Sequence, residues 1–157
     1  MAQLAKFPRI YTIADFGIDI AGADITVQPA QWSVIGTVTV PAGQQIAYGI
    51  GGLAQTDSRE VCYLRIDAAG GQLAGRVRFC VSDPNQIRKI VVAEQRTERL
   101  SASQNDKTIG FLLGEYPIRA KEDSLLLVEY FPDGAVAVII DVSDADNIWL
   151  VPVTVYQ

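Results

Sequence analysis

The residue types that do chemistry are few in this chain, and only two groups have suggestive spacing. Asp141-Val142-Ser143-Asp144-Ala145-Asp146-Asn147 puts five oxygen-bearing side chains into one short stretch. Hard cations such as calcium take several oxygen ligands from flexible backbone, so Asp141 to Asp146 is where a metal would be sought. The spacing does not match an EF-hand loop, which needs a Gly at its sixth position and a Glu at its twelfth. Asp and Asn are also ordinary turn formers. The stretch is therefore read as a turn, and no metal ligand is assigned. Arg76 and Arg78 are two residues apart, so on a strand both guanidinium groups leave the same face. Arg65 is expected to join them from a neighbouring strand. Such a face suits a carboxylate, a phosphate or an acidic partner surface. It can equally be a solvated face whose stems cover apolar area. Contact with another subunit is the form of binding expected there.

Other chemistry is excluded by residue type. The chain has no His and only 2 Cys. Ser-His-Asp and Cys-His nucleophiles are therefore unavailable, as are His-containing and four-thiolate zinc sites. No G-x-x-x-x-G-K-S/T phosphate loop occurs. Gly49-Ile50-Gly51-Gly52 lacks the spacing of a dinucleotide fingerprint and reads as a loop or bulge. A carboxylate-only enzyme needs just two acids suitably placed, and no pattern singles out such a pair. No catalytic residue and no cofactor is expected.

The elements that would position these side chains follow a period of two. Val34, Val38 and Val40 share one face against Thr37 and Thr39. Cys62, Leu64 and Ile66 alternate with polar neighbours. Leu73, Val77, Phe79 and Val81 oppose Arg76 and Arg78. Trp149, Val151, Val153 and Val155 oppose Thr154 and Tyr156. Half-buried strands over one core give this pattern. Further strands are expected near 10–13, 18–27, 45–50, 89–96, 109–113, 125–131 and 135–141. About eight to ten short antiparallel strands with minimal helix predict an all-β sandwich or barrel. Residues 1–157 read as a single domain, a length sufficient for one core.

Turn chemistry refines the pattern. Val40-Pro41-Ala42-Gly43 predicts a tight turn. Phe131-Pro132-Asp133-Gly134 predicts a hairpin between two apolar runs, and Gly70-Gly71 a second. Asp83-Pro84-Asn85-Gln86 predicts one helical turn near 84–88, with a longer helix to Leu100 as the alternative. Ser101 to Asp106 reads as an exposed loop. Pro152 removes a ladder donor, so the last strand is an edge or turns the Pro to an unpaired side. An apolar edge there calls for a cover, from a partner subunit or from the same chain. In a hairpin of 62–67 with 73–81, matched apolar faces put Cys62 and Cys80 on opposite faces of the ladder. The two cysteines are then reduced.

Charged residues are 20% of the chain, net charge is −5 and apolar residues are 49%. This balance gives no sign of direct nucleic-acid binding, which needs a clustered basic surface. The apolar runs are too short to span a bilayer, and the N-terminus lacks the apolar core of a signal peptide. Synthesis in a cytoplasm is the expectation. The charges are segregated: 10–58 and 122–157 contain no Lys or Arg, and eleven of the thirteen basic residues lie between Arg59 and Lys121. Either these segments interleave and neutralise each other, or the protomer carries opposite charge on opposite surfaces and associates head to tail.

The texture of three stretches resembles small β-sandwich viral structural proteins, namely single jelly-roll capsid proteins and capsid-decoration proteins. They are Gly36-Thr37-Val38-Thr39-Val40-Pro41-Ala42-Gly43, Lys121-Glu122-Asp123-Ser124-Leu125-Leu126-Leu127-Val128 and Trp149-Leu150-Val151-Pro152-Val153-Thr154-Val155-Tyr156. The resemblance implies a jelly-roll-like sandwich in a virion, made in a host cytoplasm. It implies association with copies of itself and other virion proteins, with no enzymatic residues. Arg76, Arg78, Trp149 and Tyr156 are the residues expected at a subunit interface. The alternative is a carbohydrate- or small-ligand-binding β-sandwich module, which would show a concave aromatic surface.

Overall fold

The computed structural model describes residues 5–49, 61–66, 68–69, 75–97, 107–112, 118–140, 142 and 148–157. Among them are twelve strands and no helix: β1 (Lys6–Tyr11), β2 (Ile25–Val27), β3 (Ser33–Thr39), β4 (Gln45–Tyr48), β5 (Val61–Ile66), β6 (Ala68–Ala69), β7 (Gly75–Ser82), β8 (Lys89–Thr97), β9 (Lys107–Leu112), β10 (Leu125–Pro132), β11 (Val138–Ile140) and β12 (Ile148–Tyr156). One sheet runs β1-β12-β5-β9, with β4 also paired to β12. A second runs β3-β10-β7-β8, and a short third runs β2-β11-β6. All pairs are antiparallel.

The pairings are nested. β1 pairs β12, β2 pairs β11, β3 pairs β10, β5 pairs β9 and β7 pairs β8. The chain is thus one long hairpin doubled back on itself. Rolling that hairpin joins its two halves through β10–β7 and β12–β5. This is the winding of a jelly roll, and the fold is all-β and jelly-roll-like.

The core lies between the two large sheets. Leu126, Val128 and Tyr130 of β10 and Val77, Phe79 and Val81 of β7 face it, as their alternation predicts. Tyr48 of β4 meets Phe79 at a centroid distance of 5.1 Å. Its hydroxyl donates to the Leu127 carbonyl at 3.2 Å, tying the sheets together across the core. Trp149 of β12 reaches the other sheet at Gly36 of β3. A Cβ there would lie 2.9 Å from the indole ring, so only glycine admits it.

Several expectations are corrected. β5 and β7 do not form a hairpin: β5 pairs β12 and β9, while β7 pairs β10 and β8. Alternation identifies the buried face of a strand but not its partner. Gly70-Gly71 lies outside the described residues. The 131–134 turn is not a hairpin either. β11 leaves β10 for β2 and β6, so Pro132-Asp133-Gly134 carries the chain to another sheet. Residues 84–88 are not helical. Asp83 N–H donates to the Arg88 carbonyl, and Asp83 Oδ1 accepts the Arg88 N–H at 2.7 Å, which closes a β7–β8 hairpin. β8 takes the place of the alternative helix. The expected strand at 18–27 shortens to β2. The Pro41–Gln44 turn does form, with Gly43 at φ +76° and the Gln44 N–H donating to the Pro41 carbonyl.

The last strand is not an edge. β1 covers one side of β12, and β4 and β5 cover the other in succession. Pro152 falls in the gap between β4 and β5, where its carbonyl accepts the Gly49 N–H at 2.8 Å. A strand residue's N and C=O point to the same side. The missing donor therefore faces that gap and breaks no ladder bond. The strand is also buried on both faces from Val151 to Tyr156, where alternation predicts one.

Replacing Gly36 with Val forces the Trp149 ring and the Phe16 Cβ to move. The expected cost is about 1–3 kcal/mol, typical of an overpacked core. A lower midpoint in urea with an unchanged m-value is the check.

Candidate functional site

The outward face of the β3-β10-β7-β8 sheet gathers the charged and aromatic side chains. Alternation forces this placement. With Leu126, Val128 and Tyr130 turned inward, Glu129 and Phe131 of β10 must turn outward. The register sets Glu129 opposite Arg78 and Phe131 opposite Arg76.

Glu129 is the centre of one cluster. Its side chain is only 2% exposed, and both oxygens are used. Oε1 accepts from Arg78 Nε at 3.0 Å and from Cys80 Sγ at 3.2 Å. Oε2 accepts from Lys89 Nζ at 2.9 Å, reaching over from β8. Burial alone would raise this carboxyl, but the bonds from Lys89, Cys80 and Arg78 outweigh it and hold its pKa below the ordinary value. Burial, with the Glu129 hydrogen bond added, pushes the Cys80 thiol up to about 12. Cys80 is a free thiol. Its state follows from this pocket, not from the ladder argument, and the side chain of Cys62 lies outside the described set.

The second cluster is an aromatic platform. Trp32 and Phe131 lie with centroids 5.4 Å apart. The Arg78 guanidinium carbon sits 4.0 Å from the Trp32 centroid, and that of Arg76 4.5 Å from Phe131. Arg76 also approaches Glu94 at 4.0 Å, and Arg96 pairs with Asp133 at 2.7 Å. The face is therefore a laced layer of cations over rings. Among the described residues Arg76 Nε has no hydrogen-bond partner.

Of the four expected interface residues, Arg76 and Arg78 share this face and stay partly exposed. Trp149 and Tyr156 are 4% and 3% exposed, Trp149 against Gly36 of the other sheet and Tyr156 under Arg119 and Lys6, and both offer little surface to a partner. Arg65 does not join the pair, because β5 belongs to the other sheet. Asp141 and Ser143 to Asn147 lie outside the described residues. The reading from sequence missed Glu129, Lys89 and Phe131. A lone acid inside Leu125–Phe131 was the available signal, since a carboxylate in an apolar run needs a cation.

Segregated charge has a structural answer. The nested pairing sets the two cation-free segments against each other in β2–β11 and β3–β10. The β10–β7 seam then brings them to the basic segment, where Glu129 meets Arg78 and Lys89. Neutralisation within the subunit occurs at this seam.

No protein-family model matches the chain, and no curated protein matches it in sequence. A solved structure does match in three dimensions. VP17, a capsid protein of bacteriophage P23-77, aligns with a TM-score of 0.56 at 9% identity, over 99% of this chain and 97% of that one. The fold is that of a viral capsid protein. The infectious bursal disease virus VP2 subviral particle aligns with a TM-score of 0.30 at 10% identity, over 95% of this chain and 41% of that one. That score is too low to bear on the fold.

Glu129→Gln leaves Arg78 and Lys89 facing a neutral amide. The two cations keep 20% and 27% exposure, which softens the loss to about 2–4 kcal/mol, below that of a fully buried pair. Thermal melting should shift down by roughly 5–12 °C. The Glu129 carboxyl is depressed in the fold, so its contribution is full above about pH 4.3 and is lost as pH falls through the folded value. The variant should show a flatter acid limb than the parent. Native Cys80 should resist thiol reagents at pH 8 and react once the chain is denatured, which a timed labelling assay reads directly.

Proposed function

We propose that this chain is a non-enzymatic virion structural protein, a shell subunit or a capsid-decorating protein, that assembles with copies of itself and other virion proteins. One observation carries the reading: the fold match to a capsid protein spans nearly the whole of both chains. On this reading residues 1–157 act as one β-sandwich domain, made in a host cytoplasm and located in the virion. It spans no membrane and makes no direct contact with nucleic acid. Arg76 and Arg78, on their aromatic platform, form part of a subunit contact, as a planar, weakly hydrated guanidinium layer suits an interface. The carbohydrate-binding alternative is disfavoured, because the Trp32 and Phe131 rings are already stacked by guanidinium groups.

Sedimentation velocity at micromolar concentration tests the reading. Assembled species should appear, and should persist as salt rises and the Debye length falls from about 10 Å to about 3 Å. Apolar contacts survive that change, while exposed ion pairs contribute only about 0–1 kcal/mol each. A monomer at every salt concentration, absent from purified virions, would overturn it.

A further inference from the structure

The two edges of the β3-β10-β7-β8 sheet are unlike, and each carries a feature that the core does not use. Beside β3, the segment 16–25 leans on the strand through the Phe16 carbonyl, which accepts the Thr37 N–H at 3.0 Å. Between them opens a pocket of about 420 Å³, floored by Phe16, Ile18, Ile25, Val34 and Val142. That volume is in the range that takes a small apolar ligand or a few side chains. Its lining comes wholly from the cation-free segments and contains one charge, Asp19. Asp24 is exposed beside it. Neither acid is ion-paired to any described residue; Asp19 Oδ1 only accepts the Ala21 N–H within its own turn.

At the far edge, the β7–β8 hairpin ends in Pro84-Asn85-Gln86-Ile87-Arg88, every residue of it exposed. Ile87 is 78% exposed, the most exposed of the large apolar side chains among the described residues. The turn is held in shape by Asp83, which accepts the Arg88 N–H and whose carbonyl accepts the Gln86 N–H. The Arg88 side chain has no partner among the described residues. The tip therefore offers a rigid apolar knob with a cation beside it. The other edge offers an apolar pocket with anions beside it.

We infer that the β7–β8 hairpin tip of one copy docks in the β3-side pocket of the next, with Ile87 entering the pocket and Arg88 meeting Asp19 and Asp24. The inference rests on the self-assembly reading and names its surfaces. Knob and pocket lie on opposite sides of one sheet, whose edge strands β3 and β8 are three strand spacings or about 14 Å apart. One docking leaves the second copy's hairpin free, so the contact is head to tail and propagates, as a ring or shell requires. Apolar insertion supplies the binding, and the flanking charges fix its direction, since a hairpin facing a hairpin would set Arg88 against Arg88.

Two variants separate the halves of the contact. Ile87→Asp removes the knob. Ala23→Arg, at an exposed lining position, blocks the pocket with a cation. Matching circular dichroism and melting curves show that both are folded. Each alone should sediment as smaller species than the parent, with the association constant at least tenfold weaker. An equimolar mixture of the two should give a one-to-one dimer and nothing larger, because only one intact knob and one intact pocket remain. A parent that assembles while both variants keep its sedimentation profile would overturn the docking and leave self-assembly standing. So would folded variants whose mixture behaves as the sum of its parts. A parent that never assembles would overturn both.

Discussion

The β10–β7 pairing is the join on which the molecule depends. It is the longest of the pairings that join the two halves of the doubled hairpin, beside β12–β5 and β11–β6, and through it four strands from both halves become one sheet. The join is chemically marked. Its inner face is apolar, with Phe79 opposite Val128 and Val77 opposite Tyr130, while its outer face sets Arg78 opposite Glu129. A buried carboxylate is costly unless its charge and its hydrogen bonds are satisfied. Three donors from β7 and β8 do that here. A one-residue slip would turn Glu129 toward Phe79 or Val77 and the core. The ion cluster thus specifies the register, while apolar burial supplies the bulk of the stability.

The same winding accounts for the uneven charge. Nested pairs hold like-charged segments together at each end of the doubled hairpin, and the cross-pairings β10–β7, β12–β5 and β11–β6 mix them. β8 and β9, from the basic segment, lie against each other, and β2 lies against β3 and β10. The β3-β10-β7-β8 sheet therefore runs from an edge without cations to an edge that carries Lys89 and Arg96. A charge pattern along the chain has become a direction across the protein.

Much of this was legible in the residues. Alternation in 34–40, 75–81 and 149–155 identified strands, because a half-buried strand must alternate, but in β3 the register shift beside Val128 and Glu129 turns Ile35 rather than the expected Val34 into the core. Partners were not legible, because Leu64 and Val77 satisfy the same pattern in whichever sheet they fall. The β12 environment was misread for a related reason. Thr154 and Tyr156 suggest a solvated face, yet the Thr154 hydroxyl donates to the Gly49 carbonyl at 2.6 Å. Arg119 lies 3.7 Å from the Tyr156 centroid and Lys6 at 5.9 Å, so that face is covered too. At the candidate site, Arg76 and Arg78 were found by spacing alone. The platform of Trp32 with Phe131 was not, because the β3–β10 pairing that brings them together spans the whole middle of the chain.

Nesting also sets a timetable. β1 cannot find β12 until some 140 residues more have been synthesised, which at about 5–20 residues per second leaves it unpaired for roughly 7–30 s. Pairings so distant in sequence form slowly even in a finished chain. An extended segment waiting that long is open to wrong partners. β1 is poorly suited to them: Lys6 and Arg9 carry charge, and Pro8 withholds a donor. The strand that waits longest thus carries residues that discourage pairing with a neighbouring nascent chain.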